Sequence, residues 1–242
     1  MELTNHLKAR FNYGPFGQQF TPPYCYEMAG KTLDLRFEDH GAVARFLDEK
    51  QLVWSRGGRE DKAEYWALKL ANDIYLISFG IAPETCVTLV LDMGERLVTL
   101  EETAFGEDRR PCRNALCFGA VAVPGLPLPQ RRHELTKELA GNCFKWVFCD
   151  TYWHIEGYEP DTMFYCSNYP DFKGRGPYTA VKISDTVYFT CNGDAVESMC
   201  ELMDLSRLVS VSRSIVAGKD GKAIPLGAVG EYVEDLSAYE LP

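Results

Sequence analysis

Apolar residues in this chain recur at every second position over long stretches. Leu33, Leu35 and Phe37 alternate with Thr32, Asp34 and Arg36, the period of a half-buried strand. Asp39-His40-Gly41 then supplies a turn. Trp66, Leu68 and Leu70 alternate with Tyr65, Ala67 and Lys69 before Asn72-Asp73 turns the chain into Ile74–Phe79. Val87–Asp92 follows and is turned by Met93-Gly94. The rhythm returns with Phe144, Trp146 and Phe148, with Thr179, Val181 and Ile183, and with a hairpin turn at Gly218-Lys-Asp-Gly221. Only Asn5–Phe11, Gly41–Lys50 and His133–Leu139 suit short helices. Consecutive strands joined by tight turns predict up-and-down antiparallel β-barrels, which close on themselves and leave no edge exposed. Strands should hold more than half of the ordered residues.

The pattern occurs twice. Tyr65, Ala67, Lys69 and Tyr75 match Tyr178, Ala180, Lys182 and Tyr188 without a gap. Val90-Leu91-Asp92 corresponds to Leu202-Met203-Asp204, and Phe118-Gly119-Ala120-Val121 to Leu226-Gly227-Ala228-Val229. Ala29-Gly30 opens the first copy and Ala140-Gly141 the second. Four matches in one order predict two tandem units of roughly ninety residues, a plausible domain size. The proline- and glycine-rich run Pro124–Pro129 is the natural join, dividing the chain into 1–124 and 125–242.

Composition narrows the function. The 242 residues carry a formal charge of −10, which disfavours nucleic-acid and membrane partners. Aromatic residues make up 12%, in keeping with sheet. Met1–Arg10 has no apolar stretch fit for a signal peptide, so the expectation is a soluble cytoplasmic protein whose nine cysteines are free thiols. Neither these cysteines nor the four scattered histidines show metal-ligand spacing, so no metal is expected. There is no dinucleotide-binding glycine motif, phosphate loop or nucleophile elbow, so no cofactor is expected either. The oligomeric state is left open, with a homodimer among the arrangements allowed.

The residues, taken in order, resemble the MoaF (molybdenum-cofactor-biosynthesis protein F) family. Gly30-Lys-Thr-Leu-Asp-Leu-Arg-Phe37 leads to Leu52-Val-Trp54, Glu64-Tyr-Trp-Ala67 and Val90-Leu-Asp92. His133-Glu-Leu-Thr136 is similar to the family's segment before its second domain, and Tyr152-Trp-His154 falls where the family has a Tyr-x-His strand. The resemblance implies an N-terminal and a related C-terminal calycin-like, that is lipocalin-like, barrel. Small calycin-like proteins include lyases, isomerases and cyclases that act without cofactors on aromatic or polyketide-like molecules. Two departures imply a different ligand: Cys191-Asn-Gly-Asp-Ala195 replaces a Trp-x-Glu-Lys segment, and Glu156 stands where an aromatic would follow His154 by two.

Candidate chemistry centres on the strand Tyr152–Tyr158. Tyr152, His154 and Glu156 share one face, with Trp153 and Ile155 on the other. Imidazole, carboxylate and phenol together could move protons. The competing reading has this polar face in solvent and Trp153 with Ile155 in the core. His154, Glu156 and Tyr178 are the catalytic candidates. Arg36, Trp54, Tyr65, Trp66, Tyr152 and Trp153 are the candidates for binding a small apolar or aromatic molecule. Trp66, Leu68 and Leu70 read as the face lining core and cavity, with Lys69 and Lys182 outside or between the units. The function expected is cofactor-free acid–base chemistry of isomerase, cyclase, dehydratase or decarboxylase type on an aromatic, polyketide or terpenoid substrate of specialised metabolism. The alternatives are a non-catalytic binding protein and an accessory protein in molybdenum-cofactor metabolism.

Overall fold

A computed structural model describes residues 19–82, 85–106, 111–169, 172–193, 197–216 and 223–242. Among the described residues there is no helix, and strands hold more than half of them. The first eight strands are β1 (Thr32–Phe37), β2 (Gly41–Phe46), β3 (Gln51–Arg56), β4 (Arg59–Ala71), β5 (Ile74–Ala82), β6 (Thr85–Asp92), β7 (Leu97–Phe105) and β8 (Pro111–Ala122). They pair in sequence order, and β1 pairs with β8 to close a barrel. After the short β9 (Glu134–Leu135) come β10 (Cys143–Cys149), β11 (Tyr152–Tyr158), β12 (Thr162–Ser167) and β13 (Lys173–Lys182). The last four are β14 (Val187–Gly193), β15 (Glu197–Asp204), β16 (Val209–Val216) and β17 (Ile224–Tyr232). Pairing of β10 with β17 and of β12 with β13 closes a second eight-stranded barrel, with β9 added alongside β13.

The tandem antiparallel barrels are those the strand pattern predicts, and the aligned segments hold equivalent places. Tyr65–Tyr75 forms the β4–β5 hairpin and Tyr178–Tyr188 the β13–β14 hairpin. Two expected helices are corrected: Gly41–Phe46 is β2, paired on both sides, and His133–Leu139 contains β9. Asn5–Phe11 and the Gly218–Gly221 turn lie outside the described residues.

One end of each barrel is closed by the same device. Glu27-Met-Ala-Gly30 and Glu138-Leu-Ala-Gly141 tuck Met28 and Leu139 into the barrel cores. Gly30 and Gly141 take φ of 77° and 88°, a backbone that side chains resist, and their N–H groups donate to Phe46 and Tyr158 carbonyls. Lys69 Nζ meets Glu27 Oε1 at 2.9 Å, and Tyr75 Oη donates to Glu27 Oε2 at 2.6 Å. Lys182 and Tyr188 meet Glu138 Oε2 at 2.7 Å each. The two lysines therefore stand on the inward face, and their heads pair at the closed end.

That reverses the facing expected of β4. Tyr65 and Ala67 point into the first barrel, while Leu68 and Leu70 point outward and pack against the outer face of the second barrel. Leu68, Ile74, Leu76 and Val90 of one barrel meet their counterparts Val181, Val187, Phe189 and Leu202 of the other in this shared core. One patch packs on its own repeat, as in a twofold dimer. The same interface buries an ion pair between equivalent positions, Glu101 on β7 and Arg213 on β16, at 2.7 Å and 0% exposure.

Candidate functional site

The repeat provides its own control. Strand register aligns Ala42 with His154, Ala44 with Glu156, Ile77 with Thr190 and Leu89 with Glu201. It likewise aligns Val98 with Ser210 and Leu100 with Ser212. All six positions in the first barrel face an apolar interior. In the second barrel every one of them is polar and buried. Burying polar groups costs free energy unless they are partnered, so this lining is not what holds a barrel together.

At its centre His154 Nε2 lies 3.1 Å from Glu156 Oε1, each residue 2% exposed. Tyr158 Oη donates to Glu156 Oε2 at 2.6 Å. Burial works against a charge on Glu156, but His154, Tyr158 and a hydrogen bond from Glu201 outweigh it and hold the carboxyl below its usual range. Burial and the neighbouring carboxyls push the Tyr158 phenol well above its ordinary value, so it stays a donor. Thr190, Glu201 and Ser212 face one another across β14, β15 and β16.

Aromatic rings form the other wall. Trp146 lies opposite His154 on the β10–β11 ladder, and Gly230 on β17 leaves the room its indole occupies. Phe148 approaches the His154 ring at 4.8 Å edge-on, with Tyr152 at 6.1 Å. His154 Nδ1, Trp146 Nε1, Ser210 Oγ and Ser212 Oγ are buried without a hydrogen-bond partner among the described residues. Unsatisfied buried groups are rare, and four inside one barrel mark a surface built to meet something polar.

The other expected site residues scatter. Tyr152 joins His154 and Glu156 inside the second barrel. Tyr178, a catalytic candidate, packs its ring on Tyr158 with centres 5.1 Å apart, and its hydroxyl donates to the Glu159 carbonyl at 2.9 Å, as that of Tyr65 does to Asp48 at 2.8 Å. Trp153 and Arg36, candidates for ligand binding, both lie on the outer surface, Trp153 against Tyr239 and Arg36 paired with Asp34 at 2.6 Å and half exposed. Trp66 faces outward and donates its Nε1–H to the Ala223 carbonyl at 3.2 Å, tying the barrels together. Trp54 is buried inside the first barrel. Sequence reasoning missed Tyr158, Glu201 and the two serines; the break in the repeat at these positions was the available signal.

Eight described cysteines are free thiols. Among the described residues no helix is long and apolar enough to cross a membrane.

Two of the solved structures matched share little sequence with the chain. A protein from Burkholderia vietnamiensis described as a candidate beta-lactamase is 20% identical, with a TM-score of 0.35, covering 42% of this chain and 96% of its own. A protein of unknown function from the DUF3598 family of Nostoc punctiforme is 12% identical, with a TM-score of 0.38, covering 84% and 93%. No curated protein matches. Residues 13–107 match the family model described as the MoaF N-terminal domain, a stretch that runs through β7. The first barrel is thus similar to the MoaF N-terminal domain, the family its residues resemble.

Proposed function

We propose that the second barrel is the working half of a cofactor-free acid–base enzyme acting on an oxygenated aromatic or polyketide-type molecule. The observation that carries this reading is the buried His154–Glu156 pair, with Nδ1 of the histidine left free. Glu156 holds the imidazole from its Nε2 side, so Nδ1 is the atom that takes or returns a proton. Ser210 and Ser212, whose hydroxyls have no partner among the described residues, stand on the polar wall to donate a hydrogen bond to a carbonyl oxygen as it gains charge. The chemistry is proton transfer next to a carbonyl: the C–H bond breaks, its proton moves to His154, and the electron pair is held as an enol or enolate. Return of the proton elsewhere gives isomerisation; loss of a neighbouring group gives lyase chemistry. The ring wall of Trp146, Phe148 and Tyr152 favours a flat substrate, and a cytoplasmic setting fits the free thiols.

The test is solvent-deuterium incorporation, followed by proton NMR, into a panel of enolisable aryl ketones. Wild-type protein is expected to catalyse exchange into at least one of them. His154→Gln should lower the rate by about 10²- to 10⁴-fold, with affinity held within about tenfold. Tight binding with no exchange by the wild type would make the protein a binder and overturn the enzyme reading.

A further inference from the structure

The first barrel has no polar interior, yet its side wall is open. Residues Arg59–Glu64 of β4 pair only with β3, and Tyr65–Ala71 only with β5. Beyond Phe79, β5 turns away and pairs with β6 alone. The two strands part below the Tyr65–Phe79 pair, and a cleft of about 860 Å³ fills the gap. One lip carries Arg59, Asp61, Lys62 and Glu64, the other Gly80 and Ile81. This volume is in the range of small-molecule sites, roughly 300–1,000 Å³.

We propose that this cleft is a second binding site, for a flat, uncharged aromatic molecule. Tyr65 and Phe79 form its head, and Tyr24 and Tyr26 stand across its mouth with nearly half of their surface in solvent, 47% and 45%. Large exposed aromatics gathered on one cleft offer π-faces to a ligand. Charge on the lips is balanced: Arg59 is neutralised by Asp61 at 2.8 Å, and Lys62 stands beside Glu64. A net charge on the ligand would gain nothing there. Trp54 backs the head: it faces Asp61 across the β3–β4 ladder and packs on Phe79 with ring centres 5.3 Å apart. The head of the matching hairpin in the second barrel is Tyr178 opposite Asn192, so the aromatic pair is particular to the first barrel.

The site is tested by fluorescence titration of the full chain with N-phenyl-1-naphthylamine, a neutral aromatic probe, and with its anionic relative 1-anilinonaphthalene-8-sulfonate. Saturable one-to-one binding of the neutral probe is expected, at least tenfold tighter than the anion. Gly80 has room for a side chain, the nearest atom to an added Cβ being the Thr85 carbonyl oxygen at 3.8 Å. Gly80→Phe should therefore fill the cleft and weaken the neutral probe at least tenfold, leaving deuterium exchange in the second barrel unchanged. Tyr24→Ser with Tyr26→Ser, both at exposed positions, should weaken it several-fold and serve if Gly80→Phe fails to fold. Undiminished binding in these variants, or binding lost in His154→Gln instead, would place the probe elsewhere and overturn the proposal. Equal affinity for the anion would overturn the neutral class, and no binding of the neutral probe would overturn the site.

Discussion

The two barrels share a frame and differ in their filling. Both have the Glu-x-Ala-Gly plug, the carboxylate–lysine–tyrosine trio at the closed end, and a tyrosine tied to the carbonyl of the turn after the second strand. Where the first then places Ala42, Ala44, Leu89, Val98 and Leu100, the second places His154, Glu156, Glu201, Ser210 and Ser212. What recurs builds a barrel, and what diverges is free to carry chemistry at a cost in stability.

The comparison breaks most visibly at the interface. Glu101 and Arg213 occupy equivalent positions, so pairing two copies of either barrel would bury two like charges, and only the unlike barrels match. Arg213→Met should cost about 3–5 kcal/mol by leaving Glu101 charged and alone, whereas Glu101→Leu with Arg213→Met should recover most of it. Denaturant titration of the single and double variants checks this; equal losses in both would make the pair incidental.

A smaller asymmetry is His133, whose hydrogen-bond partner lies on the first barrel. Its Nδ1 meets Thr99 Oγ1 at 2.8 Å, at the position where the second barrel has Val211. Burial, and then Arg131, push its imidazole down to about 4. Unfolded, it titrates near 6.5, so across the window between those values the unfolded chain binds the extra proton. Stability should therefore fall as pH drops through about 6.5 towards 4, by up to about 3 kcal/mol. Urea midpoints between pH 7 and 4.5 should show a shallower slope in His133→Gln; an unchanged slope would assign the acid sensitivity elsewhere.

The smallest effect tests what the barrels share. Tyr75→Phe and Tyr188→Phe should each cost a small and equal amount of stability, because each removes one hydrogen bond to a solvent-exposed carboxylate. Thermal melts that differ clearly between the two would show that the trios are not equivalent.

The repeat and the barrels were legible because Tyr65, Ala67, Lys69 and Tyr75 recur with their spacing intact. The facing of the strands was not. Leu68 and Leu70 look like core and are buried, but against a neighbouring barrel, and alternation along one strand cannot tell interior from interface. In and just after β2, Ala42, Val43, Phe46 and Leu47 fall at helical spacing, and only pairing with β1 and β3 makes Gly41–Phe46 a strand. His154 and Glu156 were readable as a pair on one face. Glu201, Ser210 and Ser212 were not, because a polar residue on a strand ordinarily means solvent.

The central claim, that divergence of the second barrel's lining carries the chemistry, is tested most directly by comparing equivalent changes in the two interiors. Deuterium incorporation into an exchanging aryl ketone would be timed for wild type, for His154→Ala, which restores the first barrel's residue, and for Ala42→Ser at the matching place in the first barrel. The account predicts that His154→Ala loses at least 10²-fold in rate and Ala42→Ser less than twofold. Comparable rates in the wild type and His154→Ala, or a larger loss in Ala42→Ser, would contradict it.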